Sequence, residues 1–202
     1  MTIQSVSVKA LRPTQIAVGK HRVKTKRTEL RLRERQPQEL VDFILANPIR
    51  VVIGPEALVY IIDHHHLGCA LLKEGFKTAP VEVDADFSKL AVTEFWKTME
   101  AKVWVHAVDG KGKQRTIADI PKKLADMEDD PYRSLAGDAR QQGAFTKTMT
   151  PYMEFTWADY FRGLIKLRKV RSDYNGALKK AIALCAAPGA DKLPGYIAPN
   201  KN

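Results

Sequence analysis

Alternating apolar and polar residues predict several short strands in the first half of the chain. Residues 3–8 (Ile-Gln-Ser-Val-Ser-Val) and 79–85 alternate with a period of two, as a strand with one buried face does. Residues 50–53 and 58–62 are apolar runs separated by a Gly-Pro turn, which predicts a hairpin. Because helical patterns are interspersed with these strands, we expect a small mixed sheet.

Helical periodicity dominates after residue 87. Predicted helices span residues 38–46, 66–74, 88–102, 131–140, 156–171 and 174–186. Between them we expect a strand at 103–108 with residues 116–120 pairing back, then a short helix over 121–127. The segment 25–34 is compatible with a helix or with a mobile loop.

These patterns predict an α/β (α+β) fold. They divide the chain into a mixed-sheet domain over residues 1–87 and a mainly helical extension over 88–188 that packs on it. Residues 189–202 have no regular periodicity and are expected to form a loose tail.

Composition places the chain among soluble globular proteins. Of its 202 residues, 45% are hydrophobic, and no apolar run approaches the length that spans a bilayer. The first 18 residues lack the apolar core of a signal peptide. We therefore expect a cytoplasmic protein with no membrane partner. Cys69 and Cys185 lie in apolar helical contexts, which predicts buried free thiols.

The net charge of +10 favours an anionic partner such as a nucleic acid, a nucleotide or a phosphorylated metabolite. A basic surface that serves only solubility is the alternative. Segment 20–35 concentrates the positive charge against only Glu29 and Glu34, with these cations: Lys20, Arg22, Lys24, Lys26, Arg27, Arg31, Arg33 and Arg35. Since it has no aromatic residue, it is not a platform for stacking single-stranded bases.

The turn Asp63-His64-His65-His66 concentrates more candidate chemistry than any other stretch. A strand that runs into a helix start brings free backbone N–H groups and the positive end of the helix dipole together, which favours phosphate. Asp63 adds a metal ligand or proton acceptor, and the histidines titrate near neutral pH. The simpler alternative is that Asp63 only caps the helix. Consecutive histidines point in different directions, which disfavours a structural zinc site.

Two other stretches supply candidate binding residues. Thr14 and Gln15 follow Pro13 on a predicted loop with free side chains, suited to hydrogen bonding a ligand or to turn chemistry. The helix start at Asp130-Pro131 exposes Arg133 and Ser134 in its first turn. Either this is a second anion site or an ordinary capped helix, and the residues alone favour the cap.

Residues 59–66, Val-Tyr-Ile-Ile-Asp-His-His-His, resemble the D-G-H-H-R turn of the ParB/sulfiredoxin-like fold. More closely, the chain resembles the ParB-like nuclease family over roughly residues 3–170. The stretches that match in order are residues 11–15, 18–19, 60–67, 95–99, 130–137, 140, 143 and 154–159.

The resemblance implies a mixed-sheet fold whose turn binds nucleotide phosphates. By position, Asp63 would bind metal or accept a proton, and His65 and His66 would contact phosphate. Two departures are evident: His64 replaces the usual glycine and Leu67 the usual arginine. Another cation must then hold the phosphate, from segment 20–35 or from Arg133.

Together these features predict an enzyme that hydrolyses or transfers phosphoryl groups, as a nuclease or a nucleotide-dependent kinase does. The predicted catalytic residues are Asp63, His65 and His66, and the predicted phosphate or nucleotide ligands are Thr14, Gln15, Lys24, Arg133 and Ser134. Mg²⁺ at Asp63 is the expected metal, with ATP, ADP or CTP as candidate nucleotides. A non-catalytic module that binds DNA or nucleotides is the alternative.

Overall fold

Seven strands and eight α-helices follow one another in the computed structural model, which describes residues 3–198. The strands are β1 Ile3–Ser7, β2 Leu11–Arg12, β3 Ala17–Val18, β4 Ile49–Ile53, β5 Val59–Ile61, β6 Thr78–Asp86 and β7 Glu128–Asp129. The helices are α1 Lys20–Arg33, α2 Pro37–Ala46, α3 His65–Lys73, α4 Val92–Ala101, α5 Pro131–Gln141, α6 Met153–Leu164, α7 Leu167–Ser172 and α8 Tyr174–Cys185.

The chain divides into two compact units. The first comprises the residues up to Val18 together with Val23–Asp129, and the second comprises Gly19–Arg22 with the residues from Asp130 onward. Residues 88–129 therefore group with the sheet, whereas the sequence pattern assigns them to the helical extension.

Five strands of the first unit form one mixed sheet in the order β1-β6-β4-β5-β2. Strand β6 pairs antiparallel with β1 and parallel with β4, while β5 pairs antiparallel with β4 and parallel with β2. The hairpin between β4 and β5 confirms the prediction from the Gly-Pro turn. The short strands β3 and β7 pair separately as a parallel bridge.

The two faces of this sheet carry different apolar clusters. On β4 and β5, Val51 and Ile61 belong to a core that includes Leu71 of α3, whereas Val52 and Tyr60 belong to a cluster with Phe95 of α4. Adjacent strand residues point to opposite faces, so helices cover both sides. This burial explains why the strands are nearly continuous apolar runs.

The segment after α4 differs from the prediction. Residues 103–108 form isolated bridges rather than a strand, since Gln15 pairs with His106 and Val108 with Gln114. The predicted pairing of 116–120 is wrong, because Ile117–Asp119 is a 3-10 turn closed by a capping box from Thr116. The predicted helix over 121–127 is reduced to the 3-10 turn Leu124–Asp126.

Helices α5 to α8 form the second unit around one aromatic core. Trp157 and Phe161 of α6 are fully buried there, and Trp157 stacks on Phe145 with ring centroids 4.3 Å apart. The single helix predicted over 156–171 is two helices, because buried Ile165 is extended. Its carbonyl accepts the hydroxyl of Tyr132 at 2.6 Å, which fixes the break.

The described part of the predicted loose tail is packed. Ala190 is fully buried, and the carbonyl of Pro194 accepts the indole N–H of Trp157 at 2.8 Å. The backbone N–H of Thr146 also donates to Gly195 at 2.8 Å. The prediction of a loose segment is therefore wrong for residues 189–196, while residues 199–202 lie outside the described part.

Both cysteines are free and buried, as the sequence predicts. Burial raises the pKa of the Cys185 thiol to about 12, so this thiol stays protonated and unreactive at neutral pH. Among residues 3–198, no helix has the length and apolar character needed to cross a membrane.

Candidate functional site

The candidate site begins where β5 ends and α3 starts. The backbone N–H groups of Ile62 and Asp63 donate to the carbonyl of Arg50 on β4, at 2.9 and 3.4 Å, so the sheet hydrogen bonding extends to the turn. His64 then adopts the left-handed conformation, with φ 68° and ψ 28°. The chain reverses there and enters α3 directly.

Asp63 is exposed at this turn, and its carboxylate accepts the backbone N–H of His64 at 2.7 Å. This contact involves one carboxylate oxygen and closes the turn. It does not cap α3, whose first turn has no side-chain cap among the described residues. The interpretation of Asp63 as an ordinary N-cap is therefore wrong, because the cap position belongs to His64.

His64 is oriented by a backbone carbonyl. Its ring nitrogen Nδ1 lies 3.1 Å from the carbonyl oxygen of Pro48, which can only accept a hydrogen bond. Nδ1 therefore donates, and the neutral ring keeps a lone pair on Nε2. A carbonyl in this role is a common way to orient a histidine that binds metal or accepts a proton. His64 is half-buried, so Nε2 is a candidate for either task.

His65 has a structural environment. It is 3% exposed, and its Nε2 accepts the backbone N–H of Thr14 at 3.2 Å. That nitrogen carries no proton while the contact exists. Thr14 is itself fully buried, and its hydroxyl donates to the carbonyl of Ile61 at 2.7 Å. His65 thus connects the start of α3 to the loop after β2.

The loop containing Thr14 and Gln15 is held in place rather than free. The carbonyl of Thr14 accepts the backbone N–H of His106 at 2.9 Å, and Gln15 bridges to the same residue. Gln15 is 9% exposed. The prediction of free side chains on this loop is therefore wrong, because both side chains are buried in the first unit.

The remaining residues of the turn differ in exposure. His66, in the first turn of α3, is half-buried, and Leu67 after it is buried in the core. Lys24 lies exposed on α1. Leu67, at the position where the resemblance implies an arginine, thus supplies apolar packing in the core.

Arg50 is the cation that the structure associates with Asp63. Its guanidinium hydrogen bonds to Asp84, which raises the pKa of Arg50, and the negative charges of Asp84 and Asp63 raise this pKa further. Arg50 follows Ile49 on β4 and is exposed. The sequence prediction did not include Arg50, although the predicted hairpin of β4 and β5 already brings its strand beside the turn.

The basic segment serves the opposite end of α3. Arg27 and Arg31 of α1 both bind Glu74, the residue that ends α3, and Arg31 Nε lies 2.7 Å from its carboxylate. Nine residues of helix separate Glu74 from the turn, about 13 Å along the axis. These two arginines therefore do not provide the missing phosphate clamp.

Metal binding depends on few donors at this turn. Within residues 3–198, no group of three or more His, Cys, Asp or Glu side chains is arranged to hold a metal ion. Asp63 offers one exposed carboxylate. Mg²⁺ commonly binds through one or two carboxylates with water and substrate phosphates completing its shell. The described residues of the turn do not form a zinc site held by protein side chains alone, and Mg²⁺ at Asp63 stays a prediction.

The helix start at Asp130 lies in the second unit and is capped. One carboxylate oxygen of Asp130 accepts the backbone N–H groups of Tyr132 and Arg133, at 3.0 and 3.2 Å. The other oxygen accepts from Arg162 at 2.9 Å. Burial raises the pKa of Asp130, and the contacts with Arg162 oppose that shift. The capped-helix interpretation is confirmed, because these N–H groups are already satisfied.

Arg133 and Ser134 are enclosed in that unit. Burial lowers the pKa of Arg133, whose guanidinium lies 3.7 Å from Glu154 and over the ring of Phe155. Ser134 is fully buried, and a Cβ on Gly19 would come within 2.5 Å of its hydroxyl oxygen. The backbone of Gly19 therefore covers Ser134, so a phosphate cannot reach this hydroxyl in the observed conformation.

Comparison with known proteins identifies the family. Residues 4–163 match the family model described as Putative ParB-like nuclease. The chain belongs to the ParB-like nuclease family. No curated protein matches it. The match confirms the family membership that the sequence resemblance predicted.

A solved structure resembles the chain beyond the region of the family match. The crystal structure of protein Atu1540 from Agrobacterium tumefaciens is 38% identical, with a TM-score of 0.89. The similarity covers 98% of this chain and 100% of that one. The ParB-like region and the helices after residue 163 thus occur together in both proteins.

Proposed function

We propose that this ParB-like nuclease family member acts on phosphate esters or anhydrides, with a phosphate group bound at the first turn of α3. The observation that supports the proposal best is the strand-to-helix turn itself. His64 takes the left-handed conformation where β5 gives way to α3, and no side chain among the described residues caps the helix start. A helix start of this kind attracts anions. The net charge of +10 adds a favourable field for a polyanionic substrate.

In this proposal the residues of the turn have separate tasks. Asp63 is the metal-binding or proton-accepting carboxylate, and Arg50 supplies positive charge nearby. His64, through Nε2, and His66 are the candidate acid–base groups. His65 is a positioning residue, because its Nε2 already accepts a hydrogen bond from Thr14.

The metal expected at Asp63 is Mg²⁺. With a single carboxylate available, a substrate phosphate and water would complete the coordination. When bound, the ion would neutralise phosphate charge and stabilise charge that develops during transfer. ATP, ADP and CTP are the nucleotides to test, and a nucleic-acid backbone is the substrate that the family description favours.

A second candidate function is a non-catalytic module that binds nucleotides or DNA. The environment of His65 favours it, because one of the three histidines of the turn is buried and committed to the fold. Such a module would bind phosphate at the same helix start but would need neither Asp63 nor metal.

The substitution Asp63→Asn separates the two functions. An asparagine oxygen can still accept the N–H of His64, so the turn should keep its conformation. We expect Mg²⁺-dependent cleavage of bis(p-nitrophenyl) phosphate, labelled duplex DNA or a nucleotide to fall at least about 100-fold. We expect thermal stabilisation by ADP to change little.

The control is Asp126→Asn, which removes an equivalent exposed carboxylate elsewhere in the first unit. It should cleave at the rate of the unsubstituted protein. Full activity of Asp63→Asn would contradict the assigned role. Stabilisation by nucleotides without turnover of any substrate by the unsubstituted protein would establish the binding module instead.

A further inference from the structure

A second basic surface lies on α7 and α8 of the second unit. Between residues 164 and 186 the only acidic residue is Asp173. The exposed cations of this surface are Lys166, Arg168, Lys169, Arg171, Lys179 and Lys180. The family match ends at residue 163, so this surface lies outside it.

Most of these cations are not neutralised. Lys169 pairs with Asp173 at 2.6 Å, and the ammonium of Lys180 donates to the carbonyl of Leu164 at 3.1 Å. The other four side chains make no hydrogen bond or ion pair with any residue between 3 and 198: Lys166, Arg168, Arg171 and Lys179. Unpaired cations on a surface are compatible with a role in solubility alone. Four of them within so short a segment also produce a strongly positive electrostatic field at this surface.

The basic segment of α1 is different in this respect. Lys26 pairs with Glu29, and Arg27 and Arg31 pair with Glu74. Arg33 lies over the ring of Phe43. With the pair of Arg22 and Asp138, four of the eight cations of segment 20–35 form ion pairs, against one of the six on α7 and α8.

Two of the unpaired cations line one open depression of the surface. Leu167, Arg168, Arg171 and Ser172 line a surface cavity of about 490 Å³. Positions 168 and 171 are three residues apart, so both guanidinium groups lie on one side of α7. Arginine pairs suit phosphate, because each planar guanidinium can donate two parallel hydrogen bonds to it.

The aromatic residue of this segment is occupied elsewhere. Tyr174 stacks on His21 with ring centroids 3.7 Å apart, and its hydroxyl donates to Asp138. Its ring is therefore not available to stack on an unpaired base. A partner that presents phosphates in series, without exposed bases, fits the surface better.

We infer that the α7–α8 surface binds the phosphate backbone of a nucleic-acid duplex without reading its sequence. The inference rests on the proposed function only for the choice of nucleic acid over other polyanions. Duplex binding at this surface requires neither Asp63 nor a metal ion, because counterion release from the phosphates supplies the binding free energy.

The test is the quadruple variant Lys166→Gln, Arg168→Gln, Arg171→Gln and Lys179→Gln. Binding of a fluorescein-labelled DNA duplex is measured by anisotropy in EDTA over a series of salt concentrations. We expect the affinity to fall at least about tenfold at physiological salt, and the slope of log K against log salt to become shallower by about three to four. All four side chains are exposed, so the fold should persist, and circular dichroism checks this.

The matched control removes four exposed lysines of the first unit: Lys9→Gln, Lys77→Gln, Lys89→Gln and Lys97→Gln. An equal loss of affinity in both variants would show that only net charge matters and would overturn the inference. Duplex binding that is unchanged in the α7–α8 variant would overturn it as well. Because EDTA prevents metal-dependent turnover, failure here is distinct from failure of the Asp63→Asn test.

Discussion

At the scale of single residues, three adjacent histidines have three different environments. His64 is a left-handed residue whose Nδ1 faces the carbonyl of Pro48, His65 is buried against Thr14, and His66 is half-buried on α3. Their shared side-chain chemistry therefore does not give them a shared function.

Replacement of His65 tests its structural role. His65→Ala leaves the buried N–H of Thr14 without an acceptor and opens a cavity, so we expect the free energy of unfolding to fall by about 2–4 kcal/mol. His65→Gln can present an amide oxygen at a similar reach and should lose clearly less. Urea denaturation followed by circular dichroism measures both. Equal losses in the two variants would show that the contact with Thr14 contributes little.

The sequence could indicate this turn but not the partners within it. An Asp-His-His-His stretch between a strand and a helix points to the right location. The hydrogen bond of His65 with Thr14 joins residues 51 positions apart in the chain, and no local pattern encodes it. For the same reason, the burial of Ser134 under Gly19 was not predictable from its place in a first helical turn.

At the scale of elements, the turn after Val108 is organised by one buried carboxylate. Asp109 is 3% exposed and accepts the backbone N–H groups of Lys111 and Lys113, both at 2.9 Å, as well as the guanidinium of Arg115. Burial alone would raise the pKa of Asp109. The N–H groups of Lys113 and Lys111 and the charge of Arg115 outweigh burial and lower this pKa below its ordinary value.

This pKa shift predicts a loss of stability in acid. Because the pKa of Asp109 is lower in the folded than in the unfolded chain, its contribution is complete above the unfolded value of about 3.9 and is lost as pH falls through the folded value. We expect Asp109→Asn to be less stable than the unsubstituted protein at pH 7, with the difference narrowing below about pH 4.

Urea denaturation of both proteins across this pH range measures the difference in unfolding free energy. Arg115→Gln is the companion variant. Since it removes a charge that lowers the pKa of Asp109, this pKa rises toward the unfolded value, so the loss of stability in acid should be smaller and should be complete at a higher pH. A difference between Asp109→Asn and the unsubstituted protein that does not vary with pH would contradict the account.

Elements with strong local signals were predicted well. The alternation of β1 and β6, the Gly-Pro turn between β4 and β5, and the Asp-Pro start of α5 all describe the observed structure. Residues 103–127 were predicted poorly, because bridges to the distant Gln15 and the carboxylate of Asp109 replace the local pairing that their pattern suggests. Tertiary contacts there override local propensity.

At the scale of the whole molecule, net charge indicates the class of partner but not its location. The chain has 33 Lys and Arg against 23 Asp and Glu. On α1 many of these cations are paired, while four on α7 and α8 are not paired within the described residues. The densest basic stretch of the sequence is therefore not the most available positive surface.

The most direct test of the central claim is a titration of the ¹⁵N-labelled protein with ADP and Mg²⁺, followed through the backbone amide resonances. If phosphate binds at the first turn of α3, the largest shift changes will belong to the amides of residues 64–67, with Asp63 next to them. Unchanged amide resonances at these positions, with the shifts confined to α7 or absent altogether, would contradict the account.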